Sequence, residues 1–534
     1  LPGAVSGVSL NILWGADDAN PTSGGGLGDR SVAFTNANVA VSGAYNGASL
    51  TSLGQAVSYA VLGTGELVGY TGALPGSTAD ANVVFFVSLS DANNGEYSFT
   101  LVKPLDHADD GGENTLSLTF NYTATDSDGD TASNTFTVDV VDDVALIGTP
   151  QNGTVEEEQL VVEGDGLEDG TPNPQDADFG ISFNQTTQRA TGTLAVAWGS
   201  DDANDNDGQP GDRSIAFVGT MEADLAALNL TSRGDALSYT RIAVTGGEVL
   251  LAYTGAVPVA VPANAGQALA AEVVFAVALS DAGNGSYTFT LYSTLDHPGP
   301  VQGEDTLTLN FGFVATDSDG DTTAPGTFSV GVIDDQLLAI GTIAARYVEE
   351  EELPGGNEDD VPGGLTPDAD GNYPFVGHLN LTTAQAGGPL LILWGGDDSN
   401  TAVDGGFDGT QAPGDRSVVF DVASPAGGTR VLTAAEIDGF VTMSGGLFAS
   451  ALTSEGRALV YELSADNTVL TAKAGSDVIF TVTLSDQGTG SFQFVLSGVL
   501  DHPVAATGAS NEDVMGFTFR FAARDGDGDV ATND

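Results

Sequence analysis

Three short loops carry the densest set of chemically useful side chains in the chain: Asp126-Ser-Asp128-Gly-Asp130, Asp317-Ser-Asp319-Gly-Asp321 and Asp525-Gly-Asp527-Gly-Asp529. Carboxylates at alternate positions, with a glycine to tighten the turn, can converge their oxygens on one hard cation. Calcium accepts such a set because it takes 6–8 oxygen ligands in flexible geometry. The loops are not EF-hands, since the glycine falls fourth and Thr137 or Phe328 stands where the twelfth-position glutamate belongs. The remaining ligands must come from elsewhere in the fold. A solvated acidic turn is the competing reading.

Two more sets of oxygen ligands lie nearby in sequence. The loop after each tryptophan holds Asp17, Asp18, Asn20 and Asp29; then Asp201, Asp202, Asn204, Asp205, Asp207 and Asp212; then Asp397, Asp398, Asn400, Asp404, Asp408 and Asp415. These could hold ions, or be neutralised by the arginine of each Gly-Asp-Arg (Arg30, Arg213, Arg416) through carboxylate pairing. The third set is Asp142 and Asp143, with Asp334 and Asp335, each followed by glutamates (Glu156–Glu158, Glu349–Glu352). An ion shared there would stiffen a joint between domains; a hydrated acidic linker is the alternative.

Catalytic constellations are weaker. His107, His297 and His502 each follow an aspartate (Asp106, Asp296, Asp501) and precede Glu113, Glu304 and Glu512, so an acid/base set can be drawn. Its repetition favours a turn-ordering role, because a catalytic group is seldom needed in every copy of an array. His378 has no equivalent. Nucleophile-elbow, P-loop and His-Glu-x-x-His motifs are absent from the sequence. No enzyme activity is expected. The three tryptophans could stack on sugars, but each ends an apolar strand pattern, which suits a core or rim position.

The elements that position these residues are repeated. Trp14, Trp198 and Trp394 lie 184 and 196 residues apart, and Gly-Asp-Arg-Ser, Thr-Ser-x-Gly, Leu-Ser-Asp, Leu-Asp-His and the aspartate loop follow in the same order each time. The chain therefore reads as three copies of one unit, over 1–147, 148–340 and 341–534. Alternation within the units is that of β-strands: Val273, Phe275, Val277 and Leu279; Tyr287, Phe289 and Leu291; Leu307, Leu309, Phe311 and Phe313; Phe328, Val330 and Val332. Helical periodicity is confined to pieces such as Glu222–Leu228. The uncharged stretch Val249–Ala271, interrupted by Pro258 and Pro262, reads as a strand and a long loop. The expected fold is all-β, three tandem Ig-like sandwiches in an elongated array. Unit one is expected to lack the strand that precedes Trp198 (Ile181–Phe183), and unit three the strand equivalent to Phe136–Val140, as in an excerpt of a longer array.

Composition bounds the function. Of 534 residues 74 are acidic and 13 basic, a net charge of −61, which leaves no basic face for nucleic acid. Apolar residues still make up 41% of the chain, so the acidity belongs to a folded protein. Such self-repulsion is relieved by bound cations. There is no cysteine, hence no disulfide or thiolate site. No membrane span or secretory signal is legible, since Leu1–Trp14 lack a basic start and a small-residue cleavage site.

The order of these motifs, with Leu-Ser-Asp-x-x-x-Gly-x-Tyr/Phe-x-Phe and Val-Val-Asp-Asp, resembles the tandem extracellular repeats of giant RTX-type adhesins exported by bacterial type I secretion. The resemblance is strongest over Phe85–Asp143 and Phe275–Asp335. It implies Ig-like extender modules, calcium at the aspartate loops and a bacterial cell-surface location. The leading expectation is a calcium-loaded segment that projects other domains from the cell. A subunit of an extracellular filament, sheath or surface layer, partnered by further copies, is the alternative, and a carbohydrate-binding module the third. Inserts at Gly405–Pro413 and Pro258–Gln267 leave room for assembly or ligand contacts.

Overall fold

A computed structural model describes residues 3–21, 27–43, 49–108, 112–157, 160, 187–204, 212–297, 305–334, 337–339, 343–350, 353–355, 381–396, 400, 415–422, 428–502 and 515–533. The fold is all-β. Two largely antiparallel sheets face each other in each unit, because the long strands alternate apolar with polar side chains and the apolar ones must leave water.

Unit two shows the pattern most completely. One sheet runs, in order, Gln188–Thr193, Ser286–Leu291, Val273–Ser280, Gly247–Tyr253 and Ser238–Val244. The other runs Gly153–Glu156, Gly326–Ile333, Thr306–Thr316 and Ser214–Phe217. Apart from Val273, which a bulge turns to the outer face, the alternating residues named above meet between the sheets, where Phe275, Phe289, Phe311 and Phe328 are fully buried. Tyr287 and Phe328 stack at 4.0 Å across the gap. Units one and three repeat the arrangement around separate cores, one built on Phe85, Phe99 and Phe120 and the other on Phe420, Phe440 and Phe480.

Two expectations about elements change. The stretch after Tyr253 is more than a loop: it carries the short helix Ala265–Ala270, whose Ala268 packs on Val249, Leu251 and Val273. That cover explains why all residues from Val249 to Tyr253 are buried, on both faces of the strand. Ile181–Phe183 lie outside the described residues, and the strand described before Trp198 is Gln188–Thr193. Unit one has its counterpart, Ala4–Ser9, paired with Glu96–Leu101 as Gln188–Thr193 is paired with Ser286–Leu291. What unit one lacks among the described residues is a counterpart of Gly153–Glu156, the one parallel partner of the opposite sheet. In unit three, Val530–Asn533 pairs with Phe521–Arg524 as Thr131–Val141 pairs with Thr115–Thr125.

The segments after the paired aspartates are strands of the following unit. Leu146–Ile147 pairs with Val196–Ala197, and Leu338–Ala339 with Ile392–Leu393. Ala145 and Leu337 are buried in the cores of units two and three. The reading of these segments as acidic linkers is thereby corrected: a chain already hydrogen-bonded into the next sheet has little freedom to act as one.

Candidate metal centre

Each aspartate loop is a tight turn held by its first carboxylate. Asp317 Oδ1 accepts from the backbone N–H groups of Gly320 (3.3 Å) and Asp321 (2.8 Å), and Asp126 and Asp525 hold their loops in the same way. The glycines sit at φ of +105°, +117° and +121°, which a side chain resists. The turn leaves the other carboxylate oxygens to project.

What they meet depends on the neighbouring unit. At the junction of units one and two, Asp142 and Asp143, Asp201 and the loop Asp317, Asp319 and Asp321 form one cluster, although sequence separates them by up to 179 residues. One oxygen each from Asp142, Asp143 and Asp201 lie within 4.8 Å of one another. Backbone contacts lock the units over this cluster: Ala145 N–H donates to Asp317 Oδ2 (3.3 Å), Ser200 N–H to Asp143 Oδ2 (2.7 Å) and His107 N–H to Asp319 Oδ2 (3.1 Å). Asp142, Asp201, Asp317 and Asp321 are buried. Both oxygens of Asp142 and the Oδ1 atoms of Asp201 and Asp319 have no hydrogen-bond partner.

This packing is electrostatically untenable for six full negative charges. Burial first, then the charges of Asp319 and Asp321, push Asp142 up to about 8. Burial, Asp319 and a hydrogen bond with Asp143 push Asp201 up to about 9, and burial with Asp319 takes Asp317 to about 8. A divalent cation bound by these oxygens removes the conflict, and an all-carboxylate donor set is the one calcium takes. The residues fit the ion.

The second junction repeats the theme. His297 N–H donates to Asp527 Oδ2 (3.2 Å), and Asp334, Asp525 and Asp529 are buried. Burial, with Asp527 and Asp305, pushes Asp529 up to about 7. Asp335, Asp397 and Asp398 lie outside the described residues. The loop of unit one has the same turn but no preceding unit among the described residues; Asp126, Asp128 and Asp130 cluster in a half-buried to exposed position, and Asp17 and Asp18 beside them are exposed. At the junction of units one and two, three candidates that look independent in sequence thus become one site.

The rest of the tryptophan loop makes a separate group. Asn204 Nδ2 donates to Asp281 Oδ1 (3.0 Å) and Asn400 to Asp486 Oδ1 (3.1 Å); Asn20 and Asp91 match them. Asp212 and Asp415 raise their partners Asp281 and Asp486 electrostatically, although burial is the main cause. Asp29 and Asp415 are buried, Asp212 is half-buried and Asp202 is exposed. Asp205, Asp207, Asp404 and Asp408 lie outside the described residues. Asp281 and Asp486 are ligand candidates that the motif reading missed, though their Leu-Ser-Asp recurs beside the loop in every unit.

The arginine expectation is corrected as to contact, although the charges of Arg213 and Arg416 still offset part of the rise that burial causes at Asp281 and Asp486. Among the described residues Arg30 and Arg213 make no ion pair; they bind the carbonyls of Asp91 and Asn93, and of Asp281 and Gly283. Their guanidinium groups lie 4.7 Å over Trp14 and Trp198, as Arg416 lies 4.8 Å over Trp394. The tryptophans in turn donate to carbonyls of the same turn. A planar cation serves as the scaffold of the loop.

The Leu-Asp-His triplet separates into two jobs. Asp106 accepts from Leu53 and Gly54 N–H, and Asp296 and Asp501 cap the equivalent Thr-Ser-x-Gly turns. The imidazoles face elsewhere, His107 Nδ1 to Asn114 (2.8 Å) and His297 Nδ1 to Asp305 (2.6 Å). Among the described residues the triplet aspartate is thus not the partner of its own histidine, and Glu304, Glu512 and His378 lie outside the described residues.

Gly199 gives a direct test of the junction. A Cβ there would sit 2.0 Å from Asp143 Oδ2, whereas at the equivalent Gly15 it would meet nothing within 4 Å, and both glycines have φ of +77°. Gly15→Ala should cost only the left-handed backbone term, about 1–2 kcal/mol. Gly199→Ala should cost clearly more and weaken calcium binding, because Asp143 must move. Equal melting midpoints for the two variants would show that Asp143 is not held.

The family described as Domain of unknown function (DUF5801) matches residues 10–139. No curated protein matches the chain. Among solved structures it is similar to the zebrafish RET cadherin like domains 1 to 4 at 8% identity, over 85% of this chain and 63% of that one, with a TM-score of 0.14. Among the described residues no helix is long and apolar enough to cross a membrane.

Proposed function

We propose that the chain is a calcium-binding extender segment of a bacterial surface adhesin or fibre, in which ions held between consecutive units set the stiffness of the array. The supporting observation is the convergence of Asp142 and Asp143 of one unit with Asp201, Asp317, Asp319 and Asp321 of the next. These residues would hold the ion; calcium supplies the positive charge that lets buried carboxylates stay ionised. Without it the like charges oppose docking. With it, unit one is tied to unit two by carboxylate bridges as well as by Leu146–Ile147. Extracellular calcium is abundant enough for such a switch, and a chain free of cysteine suits export in the unfolded state, through a type I channel, with folding on arrival. Its partners are then calcium and neighbouring repeats, and the surface of the cell is its place.

The test is calcium titration of the whole chain. Asp142→Asn with Asp143→Asn should lose the same ion as Asp319→Asn with Asp321→Asn, each weakening it at least tenfold. Asp126→Asn with Asp128→Asn should leave that ion in place. If the connector variant binds like wild type while the loop variant does not, the site belongs to unit two alone and the shared-ion account fails.

A further inference from the structure

Unit two contains a buried group of different chemistry. His297 is 4% exposed, Glu157 0% and Asp334 4%, and one ligand atom from each lies within 4.8 Å of the others. Asp305 Oδ1 accepts a hydrogen bond from His297 Nδ1–H at 2.6 Å. Nε2 then turns its lone pair towards Glu157 Oε2 at 3.7 Å and has no hydrogen-bond partner. Glu157 is itself fixed, since Oε1 accepts from Leu295 N–H at 2.8 Å.

Two acceptors facing each other in a buried pocket require a cation or a donated proton between them. A separation of 3.7 Å is too long for a hydrogen bond. It is close to the ~3.3 Å between two ligands that each stand about 2.0–2.1 Å from a tetrahedral zinc ion. Imidazole nitrogen is a ligand of zinc and its neighbours in the first transition row, whereas calcium prefers oxygen. A carboxylate on the far nitrogen, as Asp305 provides, orients such a ligand and raises its basicity. We propose that Glu157, His297 and Asp334 form a transition-metal site of the zinc class, set apart by its imidazole from the all-carboxylate cluster between units one and two, and taking Asp334 from the second junction. Unit three repeats half of it, with His502 Nε2 3.8 Å from Glu350 Oε1, but both side chains are 30% exposed. In unit one Asn114 replaces Asp305 as the partner of His107. Among the described residues, unit two builds the complete buried site.

The probe is Co²⁺ added to the whole chain in a large excess of calcium, read by its visible absorption and by X-ray absorption. One Co²⁺ per chain should remain bound, with low-coordinate absorption and an imidazole nitrogen in its shell. His297→Gln should weaken it at least tenfold and remove the nitrogen signal, while Asp235→Asn, on an exposed strand outside every acidic cluster, changes neither. Should His297→Gln fail to fold, the wild-type ligand shell still decides. Loss of all Co²⁺ to competing calcium, or a shell of oxygen alone, would overturn the proposal and leave His297 as an imidazolium held between two carboxylates.

Discussion

Stripping calcium should lower the melting midpoint of the chain, and by more at pH 8 than at pH 5. Asp142, Asp201 and Asp317, pushed up to about 8, 9 and 8, and Asp529, at about 7, all lie above their value in the unfolded chain. The metal-free folded state therefore keeps protons that the unfolded state has released. Its stability from these groups is complete below about pH 4 and is lost as pH rises through 7 to 9, by about 1.4 kcal/mol per pH unit for each extra proton. Carboxylates of the opposite kind, such as Glu436, held at about 2 chiefly by hydrogen bonds from Thr433, lose their contribution only as pH falls below the normal range. The window from pH 5 to 9 thus belongs to the junctions. With calcium present the same carboxylates serve as ionised ligands, and each site adds about 2.7 kcal/mol at a hundredfold excess over its dissociation constant. For units of this size each kcal/mol is about 2–4 °C. Calorimetry of calcium-loaded and calcium-free protein across this range should show curves that diverge with pH. A midpoint indifferent to calcium, or a metal-free protein that gains stability from pH 5 to 8, would refute the electrostatic reading.

Much of the fold is legible because the long strands are amphipathic on a period of two. Phe311, Phe313, Phe328 and Val330 announce both their strands and their inward faces, and the structure buries each of them. The aspartate loops are legible for a similar reason: the glycine and the alternate carboxylates encode the turn locally. What sequence hides is the meeting of distant loops. Leu146–Ile147 is a strand of two residues, too short to show any period, yet its pairing with Val196–Ala197 carries Asp142 and Asp143 onto the next unit. The contacts of the arginines rest on chemistry that spacing does not record, since a ring face and two carbonyls, rather than a carboxylate, hold Arg30 and Arg213. Helix Ala265–Ala270 is hidden by the prolines upstream of it (Pro258, Pro262) and by its small residues; it forms where the outer face of Val249–Tyr253 needs cover and Asn264 caps its first turn.

Loss of calcium should also change how the units are held together while leaving each sandwich intact. The cores around Phe120, Phe311 and Phe480 are apolar and contain none of the junction aspartates, so nothing in them depends on the ion. At the junctions, in contrast, each pair of carboxylates about 4 Å apart repels by roughly 1 kcal/mol in water and about 4 kcal/mol near a protein surface. Small-angle scattering of the whole chain with and without calcium, with circular dichroism recorded on the same samples, tests this most directly. The account predicts a stiff, extended particle in calcium and a flexible chain of folded units without it. Identical scattering in both conditions, with the β-structure unchanged, would contradict it.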